Sequence, residues 1–343
     1  MAGAASGAEE LSADPPFASA GVLPFACCPT DPGSIFFLLG QEQNIPGYHN
    51  SATWSAFEGG RRAAESGAET AAREFSEESM NCIPVLPNDT KVTAHSVCQA
   101  LQRSDYTMCV TLDVVPSKAA CSARHRRHIL YVKQIPFWKP SIAEDFADTR
   151  SALLSLREAC LKAEAARKAA PQHSPYLCEG TSVTTDDGKA AIVSAVRSVL
   201  IAEDGSMRIC FECLVCGEHG HLLRTGALTA TNVPPSFRAA IQAREAMLRT
   251  LSALPEHLKE HPSLRLTRDS GGSVVWARVC PDYLEKQKIG WWGTERLRHV
   301  VDRAGTYKHH AFRASFVPML AKVLDTLDSA HYESIAMTWR RAN

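Results

Sequence analysis

The sequence predicts an α/β protein with one elaborated domain or two, and three observations lead to this fold class. The 343 residues allow a large core, and 45% hydrophobic with 22% charged residues is ordinary for a globular chain. Runs of β-forming residues occur along the chain. Between them lie stretches of Ala, Leu, Glu, Lys and Arg that favour helices. A wholly disordered, collagen-like or coiled-coil chain is therefore excluded.

The predicted strands begin with a hairpin. Two apolar runs, GVLPFA from Gly21 and SIFFLLG from Ser34, are joined by a turn that contains Pro and Gly. The second run is apolar throughout, so we expect it to be buried on both faces. Residues 54–57 predict a short strand, and residues 107–115 and 128–135 predict two longer ones.

The predicted helices follow. Residues 141–170 predict a long helix or a helix pair, and residues 235–260 are helical again. Between them, an Asp-Gly turn at 204–205 separates two apolar runs, which predicts a second hairpin. Near the end, the strand KIGWW precedes helices near 294–304 and 311–328.

Charge and targeting signals restrict the partners. Lys plus Arg, 37, equals Asp plus Glu, 37, so no global field favours nucleic acid or an acidic membrane. The sequence has no run of eighteen apolar residues, and its first twenty positions contain no Lys or Arg. We therefore expect a cytoplasmic protein without a membrane partner, and a nuclear location stays open. The twelve cysteines are irregularly spaced, and we assign no disulfide.

The chemistry-bearing residues concentrate in one segment, FEGGRRAAESGAETAAREFSEESM. Residues 70–79 predict a helix on which Glu74, Glu77 and Glu78 project from one face. Like charges at this spacing repel one another, and Arg73 alone cannot neutralise three acids. A divalent cation can, and carboxylate oxygens suit Mg²⁺ or Mn²⁺.

The spacing of this segment resembles the Nudix box, G-x5-E-x7-R-E-U-x-E-E-x-G-U. The matching residues are Gly59, Glu65, Arg73, Glu74, Phe75, Glu77 and Glu78. Two positions differ, because Met80 replaces the closing glycine and Glu58 replaces a glycine common before the box. Since Asn81 tolerates a left-handed conformation, we expect the helix to end one residue later than in the family.

The resemblance implies a Nudix α/β/α sandwich with a mixed sheet and a large mixed α+β insertion. The corresponding division is a flexible leader at 1–18, a first Nudix part at 19–138, an insertion or added lobe at 139–274, a last Nudix part at 275–328 and a tail at 329–343.

The resemblance also implies Mg²⁺- or Mn²⁺-dependent hydrolysis of a diphosphate linkage in a nucleoside diphosphate joined to another moiety. By analogy, Glu74 and Glu78 would ligate the metal, and Glu77 would ligate it or act as the base. Glu65 would be an outer ligand or an orienting group, and Arg73 would hold an acid in place.

Further site residues are expected around the box. Gly59 and Gly60 let the backbone turn tightly beside a ligand. In this family the base often falls on a late acid, and Glu285 is our candidate for it. A basic loop could meet phosphates through its arginines, Arg124, Arg126 and Arg127.

Other functions stay open at this stage. An added lobe and a basic loop are compatible with an mRNA cap hydrolase, so capped RNA is an alternative substrate. A Nudix module that binds nucleotide or RNA without catalysis is the second alternative. The sequence does not disclose the leaving group or the oligomeric state.

The acidic cluster on the predicted helix and a group of Cys and His residues each have more than one interpretation. An acidic cluster on a helix is normally a solvated face, and only the matching glycine, glutamate and arginine offsets favour a site. A zinc site is a further alternative for five residues that otherwise fit a buried hairpin, namely Cys210, Cys213, Cys216, His219 and His221.

Overall fold

The computed structural model describes residues 17–28, 31, 34–85, 92–103, 108–114, 126–135, 141–169, 182–184, 190–201, 207–217, 220–230, 235–268 and 271–328. Between 182 and 237, and at residues 114 and 126, it describes the backbone alone. The chain divides into two compact units, one of Met1–Ser151 with Pro281–Asn343 and one of Ala152–Cys280. The domain limits proposed from the sequence stay a prediction.

The elements of the described residues follow one another in this order: β1 (Ser19–Cys27), β2 (Ile35–Glu42), β3 (Trp54–Ser55), β4 (Phe57–Gly60), α1 (Gly67–Glu78), α2 (Ala94–Gln102), β5 (Met108–Val114), β6 (Arg126–Gln134), α3 (Ile142–Ala169), β7 (Ser182–Thr184), β8 (Ala190–Ile201), β9 (Met207–Gly217), β10 (Gly220–Ala230), α4 (Pro235–Ser252), α5 (Glu256–Lys259), β11 (Leu264–Arg268), β12 (Val274–Val279), a 3₁₀ turn (Pro281–Leu284), β13 (Lys286–Gly293), α6 (Thr294–Asp302), β14 (Thr306–Tyr307), β15 (His310–Ala311) and α7 (Phe316–Asp328).

The first unit is built on a mixed seven-stranded sheet of order β13-β2-β1-β6-β5, in which β3 pairs with β2 and β4 pairs with β1. Strands β1 and β6 are parallel, and the other pairs are antiparallel. The predicted α/β class with a mixed sheet is confirmed, and so is the first hairpin, β1–β2.

The prediction of a single short strand at 54–57 is wrong, because the structure has two strands there. The chain forms two strands with a break at Ala56, because β3 pairs with β2 whereas β4 pairs with β1. The segment thus changes its pairing partner from β2 to β1. Strand β4 thereby places Gly59, the start of the box, beside the central strand of the sheet.

Helices cover both faces of this sheet. Because side chains alternate along a strand, neighbouring residues of β6 point to opposite faces. Leu130 and Val132 are buried in a cluster with residues of α6 and α7. Ile129 and Tyr131 instead lie beside Gly67 of α1. The first unit is therefore an α/β/α sandwich.

The helix that carries the acids, α1, begins three residues earlier than predicted. Ser66 and Glu69 form a capping box, in which the Ser66 amide donates to Glu69 Oε2 over 2.7 Å. On its packed side, Phe75 meets Phe57 of β4 with ring centroids 5.4 Å apart. Strand β4 and helix α1 are thereby fixed to one another.

The end of α1 contradicts the expectation of a later stop. The helix ends at Glu78, and Met80 itself adopts the left-handed conformation with φ 52°, as does Asn81 with φ 54°. A left-handed residue costs about 1 to 2 kcal/mol. Burying a methionine side chain contributes about 1.5 to 3 kcal/mol, and Met80 is only 1% exposed. Burial therefore offsets the strain, so this position does not need the glycine of the box.

The second unit contains an antiparallel sheet of order β10-β9-β8-β7 and a separate hairpin, β11–β12. The predicted hairpin around the Asp-Gly turn is confirmed as β8–β9, which pair from Ile201 and Met207 outwards. The β11–β12 hairpin was not predicted. Helix α4 packs on β12, and Arg244 Nε donates to the Val275 carbonyl over 3.0 Å.

The zinc alternative cannot be followed further and stays a prediction. Cys210, Cys213 and Cys216 lie in β9 and His221 lies in β10, where side chains are not described, and His219 lies outside the described residues. Across the described part of the chain, no helix combines the length and the apolar character needed to span a membrane.

Candidate active site

A polar cavity of about 280 Å³ in the first unit collects the acids of the box. Its walls contain seven acids and three arginines, so negative charge is in excess. The lining residues are Glu42, Glu58, Glu74, Glu77, Glu78, Asp282, Glu285, Arg62, Arg73, Arg313, Tyr48, Gly59 and Gly60. The structure thus brings together six residues predicted from the box, namely Gly59, Gly60, Arg73, Glu74, Glu77 and Glu78, with the late acid Glu285.

The box glycines differ in their surroundings. A Cβ atom at Gly59 would overlap the Glu74 carboxylate, whereas a Cβ atom at Gly60 would point into open space. Gly59 therefore leaves the space that the Glu74 carboxylate occupies beside β4, and a larger residue would have to displace that carboxylate. In addition, the Glu58 amide donates to Glu78 Oε2 over 2.8 Å, which ties the same strand to the end of the helix.

Arg73 organises the acids on one side of the cavity. Its Nε and Nη2 donate to the two oxygens of Glu65 over 2.7 and 2.9 Å. Its Nη1 donates to Glu74 Oε1 over 2.5 Å and to Glu77 Oε2 over 3.1 Å. Nη2 also donates to the Gly60 carbonyl over 2.8 Å. One guanidinium therefore positions three acids and the glycine turn.

Glu65 does not line the cavity. Besides Arg73, it accepts hydrogen bonds from Thr70 Oγ1 over 2.9 Å and from the Arg62 amide over 3.0 Å. These bonds, that of Arg73 above all, lower the pKa of Glu65 from 4.5 to about 2. The contacts match an orienting group, and the outer-ligand role stays a prediction.

A second cation, Lys286, was missed by the sequence analysis. Its Nζ lies 2.6 Å from Glu42 Oε1 and 3.1 Å from Glu78 Oε1, and it donates to Ser55 Oγ over 2.8 Å. The lysine side chain is 0% exposed. Burial raises the pKa of Glu78 well above its usual range, and the Lys286 ammonium opposes this rise. The only sequence signal was a lysine directly after the late acid Glu285.

Glu58 and Arg313 form a further pair of lining residues to which the sequence assigned no role in the site. Glu58 is 8% exposed, and its Oε1 makes no hydrogen bond among the described residues. Arg313 Nη1 lies 3.8 Å from this oxygen and 3.7 Å from Glu42 Oε1. Burial raises the pKa of Glu58, and Arg313 opposes the rise. The cavity thus contains a buried carboxylate oxygen with unused acceptor capacity.

The rim of the cavity carries Glu285 and a bridging arginine. Glu285 is exposed to solvent directly before β13. Arg62 Nη2 lies 3.1 Å from Asp282 Oδ2 and 3.3 Å from Glu77 Oε1. Glu285 is therefore accessible to a substrate or to water, and its role as the base stays a prediction.

No arginine of the predicted basic loop is among the residues that line the cavity in the described part of the chain. Arg127 Nε donates to Asp113 Oδ1 over 2.9 Å, between paired residues of β6 and β5. The side chain of Arg126 is not described, and Arg124 lies outside the described residues. The arginines that do line the cavity come from other segments, and they are Arg62, Arg73 and Arg313. Contact of the basic loop with substrate stays a prediction.

The acids are not preassembled as a metal centre. Among the described residues, no three His, Cys, Asp or Glu side chains converge on one point as ligands. Arg73 instead pairs with Glu74 and Glu77, and Lys286 pairs with Glu78 and Glu42. The chemistry of the donors nevertheless fits a hard divalent cation, because the cavity offers carboxylate oxygens in excess over cations. Glu58 Oε1, which accepts no hydrogen bond from the described residues, fits it as well.

Comparisons with known proteins give faint likenesses. No protein-family model matches the chain, and no curated protein matches it. Among solved structures, it is similar to the Nudix hydrolase RenU from M. smegmatis at 17% identity and a TM-score of 0.24, covering 36% of this chain and 63% of that one. The chain is also similar to a C. elegans Ap4A hydrolase, at 18% identity and a TM-score of 0.20. This likeness covers 34% of this chain and 64% of that one.

A third likeness is to the NUDIX domain of Shewanella oneidensis NrtR, complexed with ADP ribose, at 13% identity and a TM-score of 0.21. It covers 38% of this chain and 68% of that one. The chain thus spans less than two thirds of the first two proteins. With values this low, the likenesses carry no conclusion about activity.

Proposed function

We propose that this protein is a Nudix-type, metal-dependent hydrolase that cleaves a diphosphate linkage in a nucleotide derivative. One observation carries the proposal: Glu74, Glu77 and Glu78, at the spacing of the box, line a single cavity together with the late acid Glu285. A solvated helix face would leave such acids exposed, but Glu74, Glu77 and Glu78 are 8%, 9% and 2% exposed.

The residues that would hold Mg²⁺ or Mn²⁺ are Glu74, Glu77 and Glu78. Glu58 of the same cavity adds an oxygen that accepts no hydrogen bond from the described residues. When bound, such a cation supplies Lewis-acid polarisation of the phosphoryl group and offsets the charge that develops on its oxygens. Arg73 would keep the carboxylates of Glu74 and Glu77 oriented while this happens.

The remaining residues would bind the substrate and move the proton. Glu285, exposed at the rim, would accept a proton from the attacking water. Within the described residues, the Arg313 guanidinium lies no closer than 3.7 Å to an acid, so it would have donors for phosphate oxygens. The exposed side chain of Arg62 would supply a second phosphate contact.

Hydrolysis of a substrate panel tests the proposal. Full-length protein would be assayed with ADP-ribose, a dinucleoside polyphosphate and capped RNA, with Mg²⁺, with Mn²⁺ and with EDTA. We expect turnover of a nucleotide derivative that EDTA abolishes. Glu77→Gln should lower kcat/KM by roughly 100-fold or more.

Glu295→Gln is the matched control, because Glu295 is an exposed acid of α6 that does not line the cavity. Turnover that ignores both EDTA and Glu77→Gln would discard the mechanism. Nucleotide binding without product would favour a binding module, and release of capped nucleotide would identify a cap hydrolase.

A further inference from the structure

We propose that Tyr48 is the platform on which the nucleobase of the substrate stacks. The inference rests on the proposed function, because it concerns the nucleotide derivative that this function hydrolyses. It assigns a role to a residue of the loop between β2 and β3, outside the box.

Tyr48 places an exposed aromatic ring on an otherwise charged cavity wall. Among the described residues, the exposed large hydrophobic side chains are Ile45, Tyr48 and Leu161, and of these only Tyr48 lines the cavity. Within the same part of the chain, no other Phe, Trp or Tyr lines it. Single exposed apolar residues are common on protein surfaces. A ring beside acids and arginines, however, offers a ligand an apolar contact that those groups cannot offer.

The loop that carries Tyr48 is braced by two turns. The Tyr48 amide donates to the Ile45 carbonyl over 3.1 Å, and Gly47 has φ 80°, so the run Ile45-Pro46-Gly47-Tyr48 fits a type II turn. The Ser51 amide donates to the Tyr48 carbonyl over 3.0 Å, which closes a second turn. The backbone at Tyr48 is thus ordered before a ligand arrives, which lowers the entropic cost of binding.

Both ends of the loop are fixed to segments that line the cavity. At its start, the Gln43 amide donates to the Glu285 carbonyl over 3.0 Å. Directly after its end, the Trp54 carbonyl accepts a hydrogen bond from the Arg313 amide over 2.9 Å. The backbone therefore holds Tyr48 in a fixed relation to the late acid and to a cavity arginine.

The chemistry around the ring favours a nucleoside phosphate as the ligand. Such a molecule joins an aromatic base to a phosphate, and the cavity offers Tyr48 for the first and Arg313 for the second. The His49 ring contacts Tyr48 with centroids 4.9 Å apart, and Tyr48 remains 43% exposed for a base. Stacking of one base on an aromatic side chain raises affinity roughly 5- to 150-fold.

Binding of AMP and of ribose 5-phosphate to the full chain, measured by calorimetry with Mg²⁺ present, tests the inference, because only AMP carries a base. We expect wild type to bind AMP roughly 5- to 150-fold more tightly. Tyr48→Ala should bind both ligands with nearly equal affinity, whereas Tyr48→Phe keeps a ring and should retain the preference. Equal binding by wild type would overturn the inference, and so would a preference that survives in Tyr48→Ala.

Ile45→Ala is the matched control, since Ile45 is an exposed residue of the same loop that does not line the cavity. It should keep the preference of wild type. In turnover, Tyr48→Ala should raise KM and leave kcat within about threefold of wild type. A lower kcat at unchanged KM would place the ring in the chemical step and overturn the inference. A base preference that depends on Tyr48, in a protein without turnover, would support the stacking platform and remove only the proposed hydrolysis, so the two failures are distinguishable.

Discussion

Arg73 and Glu65 form a two-point ion pair, with Nε to Oε1 at 2.7 Å and Nη2 to Oε2 at 2.9 Å. The pair joins the loop before α1 to the middle of that helix. Both side chains are largely buried, at 13% and 19% exposure. The geometry of the acids on α1 therefore depends on a contact made eight residues back along the chain.

Loss of the Arg73 guanidinium should destabilise the folded protein. We expect Arg73→Met to lower the free energy of unfolding by about 2 to 3 kcal/mol, because it leaves partly buried acids without a partner. Arg249→Met is the control, since Arg249 is 74% exposed and its ion pair is long, at 4.0 Å. Chemical denaturation of both variants measures the difference, and equal losses would contradict the prediction.

The same pair should give a defined pH dependence. The pKa of Glu65 is lowered from 4.5 to about 2, so its contribution to stability is complete above about pH 4.5 and is lost as the pH falls towards 2. Thermal unfolding of wild type and Glu65→Gln should therefore differ by a constant amount above pH 5. The difference should narrow between about pH 4.5 and 2. A difference that persists unchanged to pH 2.5 would show that this carboxylate keeps its ordinary pKa.

The two adjacent glycines of the box should respond differently to alanine. Gly59→Ala would push the Glu74 carboxylate aside, and displacement of a catalytic group by about 1 Å lowers the rate roughly 100-fold. Gly60→Ala meets open space and should leave kcat within about threefold of wild type. Steady-state kinetics on the preferred substrate compares the two variants. Similar rates would contradict the prediction that a side chain at position 59 displaces the Glu74 carboxylate.

Restoring the glycine at the end of the box should not stabilise this protein. Met80→Gly relieves about 1 to 2 kcal/mol of left-handed strain but forfeits the burial of a whole side chain, which costs about 2 to 5 kcal/mol. A net loss of about 1 to 3 kcal/mol is expected. Ala64→Gly isolates the backbone effect, because Ala64 is exposed with φ 66°. That variant should match wild type or exceed it, and stabilisation of both variants would contradict the argument.

Local patterns in the sequence predicted most of the fold because they report local preferences. Alternating and continuous apolar runs located β1, β2, β5 and β6, and Ala- and Leu-rich stretches located α3 and α4. The split of β3 from β4 escaped prediction because it depends on which strands lie alongside. Helix α1 was placed three residues late although its start has a local signal, the capping box of Ser66 and Glu69, which the prediction did not use.

The site divides in the same way. Glu74, Glu77 and Glu78 follow from spacing within a single helix, so the sequence could indicate them. Lys286 and its partner Glu42 are 244 residues apart and meet only through the pairing of β13 with β2. Sequence spacing holds no information on that contact, and the same applies to Arg313 and Glu58.

The separation of Glu42 from Lys286 has a consequence for biosynthesis. At ribosomal rates of about 5 to 20 residues per second, the lysine emerges roughly 10 to 50 s after its partner. During that interval the nascent chain holds Glu42 and Glu78 without their shared counter-ion, and β2 lacks its neighbour β13. The cavity is therefore completed late, and these two acids stay solvated until the lysine has been synthesised.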